Sequence, residues 1–254
     1  MKRDPPKREA AIPWFRDWFG REYLALYPHR DRAEARRAVA LLHGTPGLKP
    51  DARVLDLACG AGRHLAELCR VGYRPVGLDL SVPMLDAARK TARAAPLTRG
   101  DMRHLPFRAG AFDIVTSYFT SFGYFADELD DLSVLREVRR VLDAGGWFLL
   151  DFMNAHHVVA NLRERDYRNV SGWDVVQERR LVEQGRIVEK RITIRDAGDA
   201  PQKEFVERVR LYRPEELVHM LAETGFVPGP RFGGYDRSGF SRLSPRCIVM
   251  AAAS

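Results

Sequence analysis

Between residues 53 and 153 the hydrophobic period of this chain switches repeatedly, and few architectures tolerate that. VLDLAC (54–59) is a short apolar run fit for a buried strand. The stretch after Gly62, HLAELCRVG, has helical spacing and closes on Gly72. PVGLDL (75–80) reads as a strand, and PMLDAARKTARAA (83–95) as a helix with Pro83 in its first turn. LTRGDM (97–102) and FDIVTSY (112–118) are further strands. LDDLSVLREVRRVL (129–142) is a helix, and Gly145-Gly146 turn the chain into WFLLDFM (147–153). Strands that alternate with helical crossovers run parallel, and their helices cover both faces of the sheet.

After Asn154 the period changes to two. Val188, Lys190, Ile192 and Ile194 alternate with Ile187, Glu189, Arg191 and Thr193, and Gln184-Gly185 and Asp196–Asp199 are turn signals. This predicts an antiparallel three-stranded insertion over roughly 170–212. The helical rhythm returns with PEELVHMLAETGF (214–226), between Pro214 and Gly225, and CIVMAAA (247–253) is a last strand. The expected fold is therefore α/β, a doubly wound, mostly parallel seven-stranded sheet with the insertion after its fifth strand.

Composition narrows the partners. Three cysteines in 254 residues cannot form a disulfide scaffold, which points to a reducing, cytoplasmic setting. No apolar run reaches about 18 residues, and MKRDPPKREA is not followed by an apolar segment, so neither a spanning helix nor a secretory signal is expected. Lys and Arg number 41 against 34 Asp and Glu, a formal charge of +7. The bases are scattered among acids, as in LREVRRVLD (135–143), which is the pattern of a solvated surface and speaks against a nucleic-acid stripe.

Asp56-Leu57-Ala58-Cys59-Gly60-Ala61-Gly62 ends the first strand and opens the first helix. Gly60 and Gly62 allow a sharp turn and close approach of a ligand to the backbone, and the helix start beyond them presents free N–H groups. A tight strand-to-helix turn with no ligand would use the same residues. Asp79 ends the second strand, where a carboxylate can accept both hydroxyls of a ribose. Asp101 ends the third, followed by Met102, a pair able to take an exocyclic amine and cover a purine face.

On these residues the chain resembles the class I S-adenosylmethionine-dependent methyltransferases of the small-molecule type, a Rossmann-like fold. VLDLACGAGR is similar to their first motif, GLDLS (77–81) to their second, and GDMRHLPF (100–107) to their D-x-x-x-L-P-F segment. LREVRRVLDAGGWFLLDF resembles the approach to their fifth strand, while FTSFGYF (119–125) and WFGREYLALYPHRD resemble a bacterial subgroup of generic methyltransferases. The resemblance implies S-adenosylmethionine as cofactor, with Gly60 and Gly62 facing its methionine part, Asp79 its ribose and Asp101-Met102 its adenine. Asp56, Ala58, Cys59, Leu80, Met84, Arg103 and Tyr118 complete the expected contacts, together with Tyr27 and Arg30 from the N-terminal stretch. No metal is expected. The nicotinamide pattern G-x-G-x-x-G would need glycine at Leu65 and usually lacks an acid at the position of Asp56.

Four segments are expected: a helical lid over 1–50, the cofactor-binding core over 51–154, the insertion over 155–212, and the end of the core over 213–254. In the lid, Tyr23 and Tyr27 are helical neighbours whose rings can rest against a sulfonium, and Arg30 can pair with a carboxylate. Plain docking of that helix on the sheet would use the same aromatics. For the acceptor side the candidates are Tyr118, Phe119 and Tyr124 after the fourth strand, His156 after the fifth, and Tyr235-Asp236 in the FGGYDRSGF loop. His104 reads as structural, and Cys59 as a packing residue whose helix-start position could lower its pKa. No general base stands out. The acceptor is expected to be a small molecule taking the methyl on O, N or C, and the protein to be a monomer or homodimer. The competing readings are a nucleic-acid methyltransferase and a cofactor-binding partner without turnover. Ser117-Tyr118-Phe119-Thr120 lacks the Asn/Asp-Pro-Pro-aromatic segment that the first of these would carry.

Overall fold

A computed structural model describes residues 13–27, 32–195 and 202–254. The central sheet has seven strands: β1 (Arg53–Leu57), β2 (Arg74–Asp79), β3 (Leu97–Arg99), β4 (Phe112–Ser117), β5 (Leu142–Met153), β10 (Phe226–Phe232) and β11 (Arg246–Ala253). Their order is β10-β11-β5-β4-β1-β2-β3. β1 pairs in parallel with both β2 and β4, so the chain leaves the middle of the sheet in one direction and later returns to go the other way. That reversal opens a crevice at the carboxyl ends of β1 and β4. β11 runs antiparallel to β5 and to β10.

The helices begin where the sequence supplies caps. Gly62, at φ 80°, precedes α4 (Arg63–Arg70). Ser81 accepts the Met84 N–H at the start of α5 (Val82–Thr91), and Asp127 and Asn154 do the same for α6 (Glu128–Val141) and the short α7 (Ala155–Asn161). In α8 (Pro214–Glu223) the Glu216 carboxylate reaches back to the Arg213 N–H at 2.8 Å. One large core joins Leu55, Val115, Leu135, Phe148, Phe152 and Leu221; a second lies under α3 (Arg32–Ala40).

The insertion has four strands, not three. β7 (Trp173–Val182), β8 (Ile187–Arg195) and β9 (Lys203–Arg210) fall where alternation places them, and β6 (Arg165–Val170) is added on the β7 edge. RDYRNV hides no apolar face. Its pairing rests on the backbone ladder and on polar contacts such as Arg179–Asp166 at 2.6 Å and Tyr167–Asp174 at 2.6 Å, which leave no hydrophobic period to read. β10 was hidden for another reason. It carries Pro228 and Pro230, tolerable because β10 is a sheet edge with a register shift at that point.

Helices α1 (Trp14–Trp18) and α2 (Arg21–Leu26) dock mainly on this second sheet, while Phe15 of α1 also packs against the central core. Trp18 and Leu26 are buried against Val175, Ile192 and Ile194, and the Trp18 ring meets Phe205 at 4.8 Å.

Candidate functional site

A cavity of about 1010 Å³ lies between the carboxyl ends of the central strands and the lid. The β1–α4 loop supplies Ala58, Cys59 and Gly60 to its wall; the end of β2 and the start of α5 supply Asp79, Leu80 and Met84; the segment after β3 supplies Asp101 and Met102. Tyr118 and Phe119 follow from β4. Phe15, Phe19, Tyr23 and Tyr27 of the lid and Tyr124 and Phe125 of the core close the other side.

Left-handed backbone shapes the glycine loop. Ala58, Gly60 and Gly62 take φ of 54°, 54° and 80°, where L side chains are costly and glycine is not. A Cβ at Gly60 would meet nothing within 4 Å, so the loop presents bare backbone to the cavity. A Cβ at Gly62 would stand 3.0 Å from the Ala88 Cβ, so Gly62 serves the packing of α4 on α5 and does not itself line the cavity.

Asp79 is oriented from both sides. Its Oδ2 accepts the Gly60 N–H at 2.8 Å and its Oδ1 the Ser81 N–H at 2.8 Å. Burial pushes its carboxyl up against the pull of these amides. Asp56 lies beneath the loop, not on the wall. It is 1% exposed, its Oδ2 has no hydrogen-bond partner, and burial pushes its carboxyl up to about 7. Asp101 is already engaged: Arg103 donates to both its oxygens, at 3.1 and 2.8 Å, and continues to Asp130 at 2.9 Å. Burial opposes ionisation there, but the Arg103 contacts win and hold the carboxyl below its usual range. Arg103 itself stacks on Phe125 behind the wall. Cys59 departs from the idea of an activated thiol. It is buried, and burial with the charges of Asp56 and Asp79 raises its pKa.

Tyr118, Phe119 and Tyr124 all line the cavity, the ring of Tyr118 stacked on His64 at 4.3 Å and that of Tyr124 packed with Phe19 on the facing side. The other acceptor-side candidates sit elsewhere. Asp236 is exposed and accepts the Ser238 hydroxyl at 2.7 Å within its own loop. Tyr235 is turned inward and donates to Asp151 Oδ2 at 2.5 Å. His156 borders a separate cavity of about 630 Å³ with Arg186 and Arg213. His157 is bonded to the Leu243 carbonyl. Arg30 lies outside the described residues.

In the lid, Tyr23 and Tyr27 do meet, with ring centres 4.9 Å apart. The Tyr27 hydroxyl accepts from Gln177 at 3.2 Å and Lys190 at 3.3 Å, tying the lid to the insertion. Trp18 donates to Glu207, which pairs with Lys190 at 2.5 Å. The Ser81 hydroxyl donates to the Phe19 carbonyl at 2.5 Å and ties the lid to the tip of β2.

Sequence reasoning missed Arg63 and His64 on the wall, although they directly follow the glycine loop. It also missed two buried acids. Asp151 had a signal, a lone charge inside the apolar run LLDFM. Asp131 had none, being one acid among several on α6. It is 0% exposed, accepts the Tyr212 hydroxyl at 2.8 Å and the Gly123 N–H at 3.2 Å, and burial pushes its carboxyl up to about 7.

Residues 54–146 match the family described as "Methyltransferase domain". The demethylmenaquinone methyltransferase of Corynebacterium kroppenstedtii is 42% identical over 100 residues, 39% of this chain and 40% of that protein. The dTDP-3-amino-3,4,6-trideoxy-alpha-D-glucopyranose N,N-dimethyltransferase of Streptomyces venezuelae is 36% identical over 126 residues, 46% of this chain and 52% of that protein. The matched stretch thus spans about half or less of these relatives. A crystal structure of an S-adenosylmethionine-dependent methyltransferase from Clostridium acetobutylicum is 20% identical, with a TM-score of 0.77 over 91% of this chain and 95% of that one. The glycine loop and the three strand ends that face the cavity fall within the matched stretch. Residues 54–146 are thus similar to the methyltransferase domain family, and the chain shares the fold of the solved S-adenosylmethionine-dependent methyltransferase from Clostridium acetobutylicum.

Proposed function

We propose that this protein moves a methyl group from S-adenosylmethionine to a small-molecule acceptor, on O, N or C, by in-line displacement. One observation carries the reading: Gly60, Asp79 and Met102, from the ends of three successive strands, share one wall of a cavity whose other wall is aromatic. The residues suit the cofactor. Bare backbone at Gly60 leaves room for the methionine part, and the held Asp79 carboxylate is ready for ribose hydroxyls. Leu80, Met84 and Met102 offer an apolar bed for adenine, and the unpartnered Asp56 oxygen lies just under the loop. When bound, the cofactor supplies a methyl already activated on a sulfonium, so the protein's work is alignment and exclusion of water.

The lid aromatics and Phe119 shed water from the cavity, which strengthens the fixed dipoles around a cation. Holding both reactants in line can lower the barrier by roughly 7–11 kcal/mol. A neutral amine acceptor needs no base. Pockets for a single drug-sized ligand run to about 300–1,000 Å³, and this cavity of about 1010 Å³ stands at the upper end of that range. By their names, the two relatives act on a demethylmenaquinone and on an amino sugar nucleotide; both are small molecules, and we assign this chain an acceptor of that size.

Of the expected lid over 1–50 we read the described residues 13–27 as the lid, with α3 packed on the core; 155–212 is a cover for the acceptor side, and 51–154 with 213–254 the core. The protein is assigned to the cytoplasm, in keeping with its free Cys59, Cys69 and Cys247, and to a monomer or homodimer. Among the described residues no helix is long and apolar enough to cross a membrane. The test is incubation of the pure chain with methyl-labelled S-adenosylmethionine and a cell metabolite extract. Label in a small species supports the reading; tight binding without transfer assigns a non-catalytic partner, and label in nucleic acid overturns the acceptor class.

A further inference from the structure

The turn after β4 is strained, and a buried carboxylate holds it. Phe119 and Thr120 take φ of 61° and 62° in succession, a left-handed pair that is costly for L side chains and most of all for β-branched threonine. One buried residue meets both amides. Asp151 Oδ2 accepts the Phe119 N–H at 2.8 Å, and the Asp151 carbonyl accepts the Thr120 N–H at 2.9 Å. The same Oδ2 accepts the Tyr235 hydroxyl at 2.5 Å, and Oδ1 accepts Arg246 Nε at 2.5 Å. Arg246 lies over the rings of Phe119 and Tyr235, at 5.2 and 5.1 Å, and Arg63 lies over Phe119 at 4.9 Å. Asp151 is 0% exposed, and a carboxylate is excluded from such a place unless its oxygens are met. β5, β11 and the 233–240 loop thus converge on two residues, and Phe119 of that pair stands on the cavity wall beside Tyr118.

We propose that Asp151, backed by Tyr235 and Arg246, is a positioning residue of the methyl-transfer site. It clamps the Phe119–Thr120 turn in its left-handed form and so keeps Phe119 and Tyr118 on the cavity wall. The inference rests on the reading of that cavity as the site of methyl transfer. It assigns Tyr235 to the clamp and away from direct contact with the acceptor.

The test uses the full chain and three readouts: amide hydrogen exchange, calorimetry with S-adenosylhomocysteine, and label transfer from S-adenosylmethionine into the metabolite extract. In Asp151→Asn, exchange at Phe119 is expected to rise at least about tenfold relative to β1, since its hydrogen bond to a charged acceptor is lost, and exchange at Thr120, bonded to the Asp151 main-chain carbonyl, rises less. Label transfer per bound donor falls by at least about tenfold, while S-adenosylhomocysteine affinity moves less than about threefold. A purely structural carboxylate would not split transfer from binding in this way. Adding Thr120→Gly, which removes the steric cost at position 120 and leaves that of Phe119, restores part of the transfer. Tyr235→Phe, which keeps the carboxylate, raises exchange at the turn about threefold and carries the test if Asp151→Asn does not fold. Wild-type exchange and transfer in the variant that folds overturn the clamp alone. A wild-type chain that does not bind S-adenosylhomocysteine overturns the methyltransferase reading, and the clamp's role with it.

Discussion

The wall formed by the ends of β1, β2 and β3 combines bare backbone at Gly60 with Asp79, Leu80, Met84 and Met102, whereas the facing wall is nearly all aromatic side chain. On the first, left-handed backbone at Gly60 and one carboxylate held by two amides define the surface. On the second, Phe19, Tyr23, Tyr27 and Tyr124 pack ring on ring, and the contacts that seat them reach far along the chain. Trp18 and Glu207 are 189 residues apart, and Tyr27 and Lys190 are 163. The family match covers residues 54–146, which include the first wall and exclude both the lid and the insertion. Backbone geometry suits the part of a site that recognises an unchanging ligand, because it is insensitive to substitution. Packed side chains suit the part that differs between proteins, because each exchange reshapes the pocket.

If the two walls are separate cooperative units, Trp18→Ala should open one and spare the other. Losing this buried ring, at 1% exposure, should cost about 3–5 kcal/mol. Hydrogen exchange should then show protection lost in 14–27 and β9 and kept in β1 and β2; equal loss in both regions would erase the distinction. Asp79→Ala should do the converse. With its hydroxyl acceptors gone and the Gly60 and Ser81 amides unpaired, the Kd for S-adenosylhomocysteine measured by calorimetry should rise about a hundredfold, with lid protection unchanged. An unchanged Kd would remove this wall from the cofactor site.

A pH series sharpens the boundary between the walls, where Asp131 ties Gly123 to Tyr212 at the root of the insertion. Its folded carboxyl titrates near 7 against 3.8 for an ordinary one, so the folded state holds the proton more tightly. Its contribution is complete below about pH 4 and fades as pH rises towards 7, by on the order of a few kcal/mol. Asp56 adds a fall of the same sign. Urea unfolding from pH 4 to 7 should show this decline, and Asp131→Asn should flatten part of it; a slope equal to wild type would mean the acid is not protonated in the fold. The smallest effect is expected from Tyr27→Phe. It removes the hydroxyl that accepts from Gln177 and Lys190, costing about 1 kcal/mol of lid stability by thermal unfolding and leaving cofactor binding alone.

Much of the first wall was legible before folding. The hydrophobic pattern locates six of the seven central strands and the helices between β1 and β5; Ser81 and Asp127 cap two of those helices and left-handed Gly62 precedes the third. The glycine loop and Asp79 are local too, since the steric rules that shape a positive-φ turn act on neighbours in sequence. β6 and β10 escaped because one has no apolar face and the other carries prolines that only an edge position permits.

The facing wall was decided by tertiary structure. Sequence placed aromatics in the lid, but which sheet they cover depends on whose apolar face remains open once both sheets have formed, and that face belongs to the insertion. The same holds for Tyr235. Its loop was visible, but its partner Asp151 comes from a strand 84 residues away. A buried carboxylate takes whichever donors the packing brings to it, and no local pattern records that choice. Local stereochemistry follows from the order of residues; the meeting of distant side chains follows only from the closed core.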